Sequence, residues 1–182
     1  MHDSSNDSLN IDPYQMRYKA HQKRKASTLK EIMKSRYSER IFSSRVPDID
    51  LIKEIVNDCK EKTPCSCDRR PYKITLETIN DHKILLSAVL VGGVGWAHRC
   101  PLIMLIFLDP AAYKSPGEIN YMPYLDSGFI CCNIINRLTE EGINTCFINP
   151  NIRDINRSHF NNIFNEKNYI FCGAIAIGYK DY

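Results

Sequence analysis

Arg36-Tyr37-Ser38-Glu39-Arg40-Ile41-Phe42 and, later in the chain, Pro64-Cys65-Ser66-Cys67-Asp68-Arg69-Arg70-Pro71 decide how this sequence reads. Each is a loop-type cluster of cations and hydroxyls bordering an apolar, periodic segment. Such loops set guanidinium forks and backbone N–H groups where a phosphate or a polar ring edge can sit. In an extended stretch Arg36, Ser38 and Arg40 point to one side, because strand side chains alternate. Two forks and a hydroxyl on one side make a phosphate clamp. The second loop stands between a helix pattern and a strand pattern, a common place for ligand contacts. Taken alone, the 36–40 stretch reads better as an exposed charged turn. Cys65 or Cys67 beside Arg69 and Arg70 has the setting of a thiol nucleophile, but no His lies close in sequence to serve as its base.

The segments around these loops are periodic. A Lys-, Gln-, Ala- and Met-rich stretch over 13–34, opened by Pro13, reads as a helix. Asp48 or Asp50 caps the next one, where Leu51, Ile52, Ile55, Val56 and Cys59 share a face. Residues 72–79 alternate with strand period. Asn80 or Asp81 caps a short helix that ends before Gly92-Gly93-Val94-Gly95. Pro101–Leu108 is a continuous apolar run, the pattern of a buried central strand. A long helix from about Tyr121 to Glu141 has apolar positions around much of its circumference and stops at Gly142. Short strands at 145–148 and 170–177 flank a helix at 153–164. The order predicts one sheet covered by helices.

The chain has 182 residues, enough for one domain with a real core. Residues 1–12 have the composition of a disordered tail, and 13–182 read as a single domain. Net charge is +3, unevenly spread: residues 13–45 are +8 and the rest −5. That basic segment suits a nucleic acid or an anionic membrane, but no nucleic-acid motif accompanies it, and a solvated helix face accounts for it. The polar start is not a secretory signal, and His98 and Arg99 split the most apolar stretch into halves too short to span a bilayer. A cytoplasmic, membrane-free protein is the expectation. Most of the eight cysteines sit in apolar runs as small hydrophobes. Cys65-x-Cys67 lacks two further ligands at zinc spacing, so no metal is expected.

In order and spacing, the motifs over about 29–179 resemble the nitroreductase family. That family shows an Arg-x-Ser-x-Arg-x-Phe stretch, matched by Arg36 to Phe42. A Pro-Ser-Ser-x-Asn-x-Gln-Pro loop follows, matched by Pro64 to Pro71 with Cys65 for Ser, Asp68 for Asn and Arg70 for Gln. Gly92-Gly93-Val94-Gly95-Trp96, Tyr124-Leu125-Asp126-Ser127-Gly128 and Ile177-Gly178-Tyr179 resemble the family's middle, its central dimer helix and its last core strand.

The resemblance implies an α+β fold: a three-layer α-β-α domain with a mixed, mainly antiparallel sheet and a long buried central helix. It implies an FMN-dependent oxidoreductase, homodimeric, with flavin at the subunit interface. Hydride would pass from NADH or NADPH through flavin N5 to an electron-poor acceptor such as a nitro compound or quinone. The flavin supplies the chemistry and the protein supplies position and electrostatics, so no side chain is assigned a catalytic role. Arg36, Ser38 and Arg40 would hold the phosphate and ribityl chain. Pro64, Cys65, Ser66 and Asp68 would border the ring or ribityl group, with Arg70 supplying donors in place of the amide. Ile148 and Asn149 would reach the ring from the next strand. Asp68 turns an amide donor into an acceptor-only carboxylate, opposed to flavin carbonyls unless paired with Arg69 or Arg70. The family's C-terminal segment adds a basic phosphate contact, for which Lys180 is the nearest counterpart. The alternative reading is a shortened, degenerate member with a binding or structural role and no redox activity.

Overall fold

In a computed structural model of the chain, residues 28–164 and 168–181 are described. Four strands form one antiparallel sheet: β1 (Tyr72–Glu77), β2 (Leu102–Leu108), β3 (Asn144–Ile148) and β4 (Ile170–Gly178). Their spatial order is β1-β2-β4-β3. Among the described residues the parallel component is an isolated bridge between Ser38 and Thr145, on the outer edge of β3. The helices are α1 (Leu29–Ser35), α2 (Ile49–Lys62), α3 (Asn80–Val89), the single turn α4 (Pro116–Ile119), α5 (Met122–Glu140) and α6 (Asp154–Phe164).

Every residue of β2 is buried, as its unbroken apolar run requires. Its even positions, Leu102, Met104, Ile106 and Leu108, meet α2 and α5 through Ile52, Ile55, Ile130 and Ile134. Its odd positions, Ile103, Leu105 and Phe107, meet α3 and α6 through Leu86, Leu90 and Phe160. The result is an α-β-α sandwich with a separate apolar core on each face. Each side chain fully buried in this way contributes roughly 1.5–3 kcal/mol.

The helix ends show where local chemistry governs. Of the two cap candidates, Asp48 starts α2: its carboxylate accepts the Asp50 and Leu51 N–H groups. At α3 the N-cap is instead Ile79, with no side-chain bond, so neither Asn80 nor Asp81 caps it. The predicted helix over 13–34 falls mostly outside the described residues. In its described end the helix begins at Leu29, where Thr28 and Glu31 form a reciprocal capping box. The long helix α5 buries Ile130, Cys131, Ile134 and Leu138, while Tyr121, Tyr124, Leu125 and Phe129 stand about half exposed along another face.

One irregularity organises β4. Ile106 pairs with Gly173 but Phe107 pairs with Phe171, so Cys172 is an extra residue, a β-bulge. Cys172 and Ile175 therefore lie on the same face, although their numbers differ in parity. Gly173 sits at φ +134°, and a Cβ there would stand 2.6 Å from Phe147 Cζ and 3.0 Å from the Ile148 carbonyl oxygen. Gly173→Ala combines backbone strain with overpacking and should cost about 2–4 kcal/mol in urea unfolding.

Burial pushes the Cys59 thiol up to about 11 and those of Cys100, Cys131 and Cys172 to about 12. It also raises the Tyr72 and Tyr113 phenols. The unfolded chain ionises these groups first, so the stability they contribute is whole below their unfolded pKa values and is lost as pH climbs toward the folded ones. The urea midpoint should hold to about pH 8.5 and fall steeply above it, through the alkaline range where the folded thiols stay neutral.

Candidate functional site

Residues 36–43 leave α1 and run along the outside of β3. The Glu39 N–H donates to the Thr145 carbonyl (3.0 Å), and farther on the Ser43 N–H donates to the Tyr179 carbonyl (2.8 Å). Glu39 is buried, and its carboxylate accepts the Tyr37 hydroxyl (2.7 Å) and the N–H groups of Arg40 (2.9 Å) and Ile41 (2.8 Å). This inward carboxylate fixes the turn and leaves Arg36, Ser38 and Arg40 exposed. Behind this segment lies the buried Cys146 thiol: burial raises its pKa, Arg40 and Ser38 pull it down, the Glu39 charge raises it further and Arg36 lowers it. Tyr37 and Ile41 are exposed as well, so of the residues between Arg36 and Ile41 only Glu39 turns inward. Cys146, hidden within an apolar strand, carried no signal of its own as part of this surface.

Other groups gather at the same edge. The Arg40 guanidinium lies 5.9 Å from the Trp96 ring centre, and Trp96 stacks on Phe42 at 6.5 Å. The Trp96 indole N–H donates to the Gly92 carbonyl (3.0 Å). A Cβ on Gly92 would reach 3.0 Å from Asn149 Nδ2, so the Gly92–Trp96 turn and the end of β3 approach closely. Lys180 brings a further cation to this corner, with Nζ 5.6 Å from the Tyr37 ring centre. Ile148 is fully buried, so at this edge it offers only main chain. Asn149 is half buried, and its Oδ1 accepts the Asn151 N–H (3.1 Å).

The second loop is a separate construction. Cys67, Asp68 and Arg70 have φ of 50°, 55° and 51°, three non-glycine residues in the left-handed region. Side-chain bonds hold them there. Arg70 donates to the carbonyls of Lys60 (3.1 Å) and Thr63 (2.8 Å) at the end of α2 and pairs with Asp68 at 2.5 Å. The Arg70 N–H donates to Cys65 Sγ (3.3 Å), so this thiol closes the loop on itself. From α5, Asn133 donates to Thr63 Oγ1 (2.8 Å), and Asp126 accepts the Ser66 N–H (3.1 Å). The Asp68 charge is thereby matched by Arg70, and the Arg70 fork is occupied within the loop. Ser66 Oγ makes no hydrogen bond among the described residues and remains available.

One chain does not bring the two loops together. Ser38 stands outside β3, while the 64–71 loop enters β1 at Tyr72, on the opposite edge of the sheet. The register Ser38–Thr145–Ile177–Leu102 lies six residues along β2 from the Leu108–Tyr72 pair, so the loops stand roughly 25 Å apart at ordinary strand spacing. A cleft of about 480 Å³ between α2 and α5, lined by Leu51, Glu54, Asp58 and Arg137 among others, holds none of the candidate residues.

No family model matches this sequence, and no curated protein matches it. Solved structures do match the fold. A nitroreductase family protein of Streptococcus pneumoniae superposes with a TM-score of 0.74 at 15% identity, over 85% of this chain and 92% of that one. A provisionally assigned NAD(P)H:FMN oxidoreductase of Staphylococcus epidermidis gives 0.74 at 14% identity, over 87% and 89%. A provisionally assigned nitroreductase of Exiguobacterium sibiricum, solved in complex with FMN, gives 0.74 at 13% identity, over 86% and 90%. With its layers, strand order and these superpositions, the chain has the fold of nitroreductase family proteins.

Proposed function

We propose that this chain is an FMN-dependent oxidoreductase that works as a homodimer. It would pass hydride from NAD(P)H to an electron-poor acceptor such as a nitro compound or quinone. The observation that carries the reading is the exposed Arg36, Ser38 and Arg40 in the segment bridged to the outer edge of β3, within a fold shared with an FMN complex. Two guanidinium forks and a hydroxyl match a phosphate dianion in charge and in hydrogen-bonding type. When bound, FMN supplies the hydride acceptor and donor at N5.

The chain's own residues divide the remaining work. Arg36 and Arg40 hold phosphate oxygens, and Ser38 donates a further hydrogen bond. The free Ser66 hydroxyl donates at the second loop, where pairing with Arg70 neutralises Asp68 toward an electron-rich ring edge. Two half-sites about 25 Å apart serve one flavin only if two copies contribute one each. The exposed stripe Tyr121, Tyr124, Leu125 and Phe129 on α5 supplies the apolar face for that pairing. The described cysteines are all free, the state a reducing cytoplasm sustains.

The lone tryptophan stands beside Arg40, so its emission reports on this edge. Added FMN should give a yellow protein and quench Trp96, and Arg40→Ala should weaken FMN binding about tenfold or more. A colourless protein whose emission ignores added FMN would end this reading. Phe129→Glu should shift the sedimenting species from dimer to monomer, because a charge in a desolvated apolar contact is strongly disfavoured.

A second reading keeps the fold and the flavin but not turnover. The commitment of the Arg70 fork to the end of α2 favours it, since that fork is then not free to face the ring. Anaerobic mixing with NADH and with NADPH separates the two: bleaching of bound flavin supports the oxidoreductase, and a persistent yellow colour supports the binding protein.

A further inference from the structure

Asp126 is the most deeply buried carboxylate among the described residues, at 1% exposure. It lies in the first turns of α5, beneath the 64–71 loop. Its Oδ1 accepts the Ser66 N–H (3.1 Å) and its Oδ2 accepts the Tyr113 hydroxyl (2.8 Å). No ion pair to Asp126 occurs among the described residues. The nearby Arg69 guanidinium sits 5.9 Å from the Tyr113 ring centre and turns to Glu118 instead (3.6 Å). Burying a carboxylate on two hydrogen bonds is unfavourable for stability compared with an apolar residue of that size. What it secures is a backbone: Ser66 opens the turn that contains the left-handed Cys67 and Asp68, conformations that persist only when their surroundings over-determine them.

The geometry points to Asp126 as the positioning residue of the Pro64–Arg70 loop: by clamping the Ser66 N–H against α5, it sets where Ser66 Oγ and the Asp68–Arg70 pair stand toward the flavin ring. This rests on the flavin reading above. The clamp also couples the loop to the helix that carries the exposed apolar stripe. In a dimer built on that stripe, the loop would be tied to the subunit contact as well as to the sheet, where the Tyr72 hydroxyl donates to the Pro64 carbonyl (3.5 Å). Asp126 does not touch the ligand; it acts through Ser66.

The test compares Asp126→Ala, which removes both acceptors, with Asp126→Asn. The amide oxygen can accept the Ser66 N–H while its NH2 donates to Tyr113 Oη, so Asn keeps the shape and drops the charge. The first readout needs no flavin. Cys65 is half buried with its thiol bonded inside the loop, whereas Cys67 is exposed. Alkylation of Cys65 in the apo protein should speed up about tenfold or more in Asp126→Ala and stay near the wild-type rate in Asp126→Asn. The second readout uses the FMN-loaded protein. Asp126→Ala should change the visible circular dichroism of the flavin and slow its reduction about tenfold. Asp126→Asn should restore both.

Unchanged Cys65 protection in Asp126→Ala overturns the inference, as does an Asp126→Asn variant as impaired as Asp126→Ala. If Asp126→Ala does not fold, Ser66→Pro removes the N–H from the other side of the bond. Cys65 before it is extended, and Pro is suited to the first position of a turn. Ser66→Pro should expose Cys65 as strongly as Asp126→Ala is expected to, and continued protection overturns the inference. If the wild-type protein takes up no FMN, the flavin reading falls, while the Cys65 rates still decide whether Asp126 clamps the loop.

Discussion

The constraint on which the rest depends is the burial of β2 on both faces. A strand that is apolar at every position must be covered twice, so two helical layers form, α2 with α5 on one side and α3 with α6 on the other. With both faces sealed, the sheet's own main-chain groups can meet a ligand only at its edges and ends. Both candidate loops obey this. One runs outside β3, and the other turns into β1 at the far corner.

The two loops differ in how much freedom is left to them. Along β3, the inward Glu39 carboxylate satisfies its own neighbouring N–H groups and leaves Arg36, Ser38 and Arg40 exposed. In the 64–71 loop most donors are consumed internally. The Arg70 fork closes the end of α2, the Arg70 N–H meets Cys65, and the Ser66 N–H meets Asp126. The first loop is a surface of open charges. The second is a rigid shape with few free donors, so it discriminates more by form than by hydrogen bonding.

Much of the architecture was legible because burial leaves a periodic trace. The run 102–108 and the α2 face of Ile52, Ile55, Val56 and Cys59 could be read directly, and the cap was narrowed to Asp48 or Asp50. What escaped had no local trace. The Asp126–Ser66 and Asn133–Thr63 bonds join residues far apart in sequence, and no spacing rule marks them. Arg70 reads as a cation available to a ligand, because nothing nearby shows that helix α2 ends within its reach. For α5, apolar residues around the circumference suggested burial on all sides. Within one chain one face is buried, and the Tyr121, Tyr124, Leu125 and Phe129 face stays open. Composition alone cannot separate a residue covered by its own chain from one left for another.

The bulge at Cys172 makes β4 two half-strands in opposite phase. Ile170 and Cys172 address the α2–α5 layer from even positions, and Ile175 and Ile177 address the same layer from odd ones. Related sequences aligned through this strand should therefore tolerate a one-residue gap at 172–173 better than elsewhere in the sheet. Removing the extra residue would convert the bulge to regular pairing without reversing either half, whereas a gap inside either half would turn part of that half's core residues toward the wrong layer.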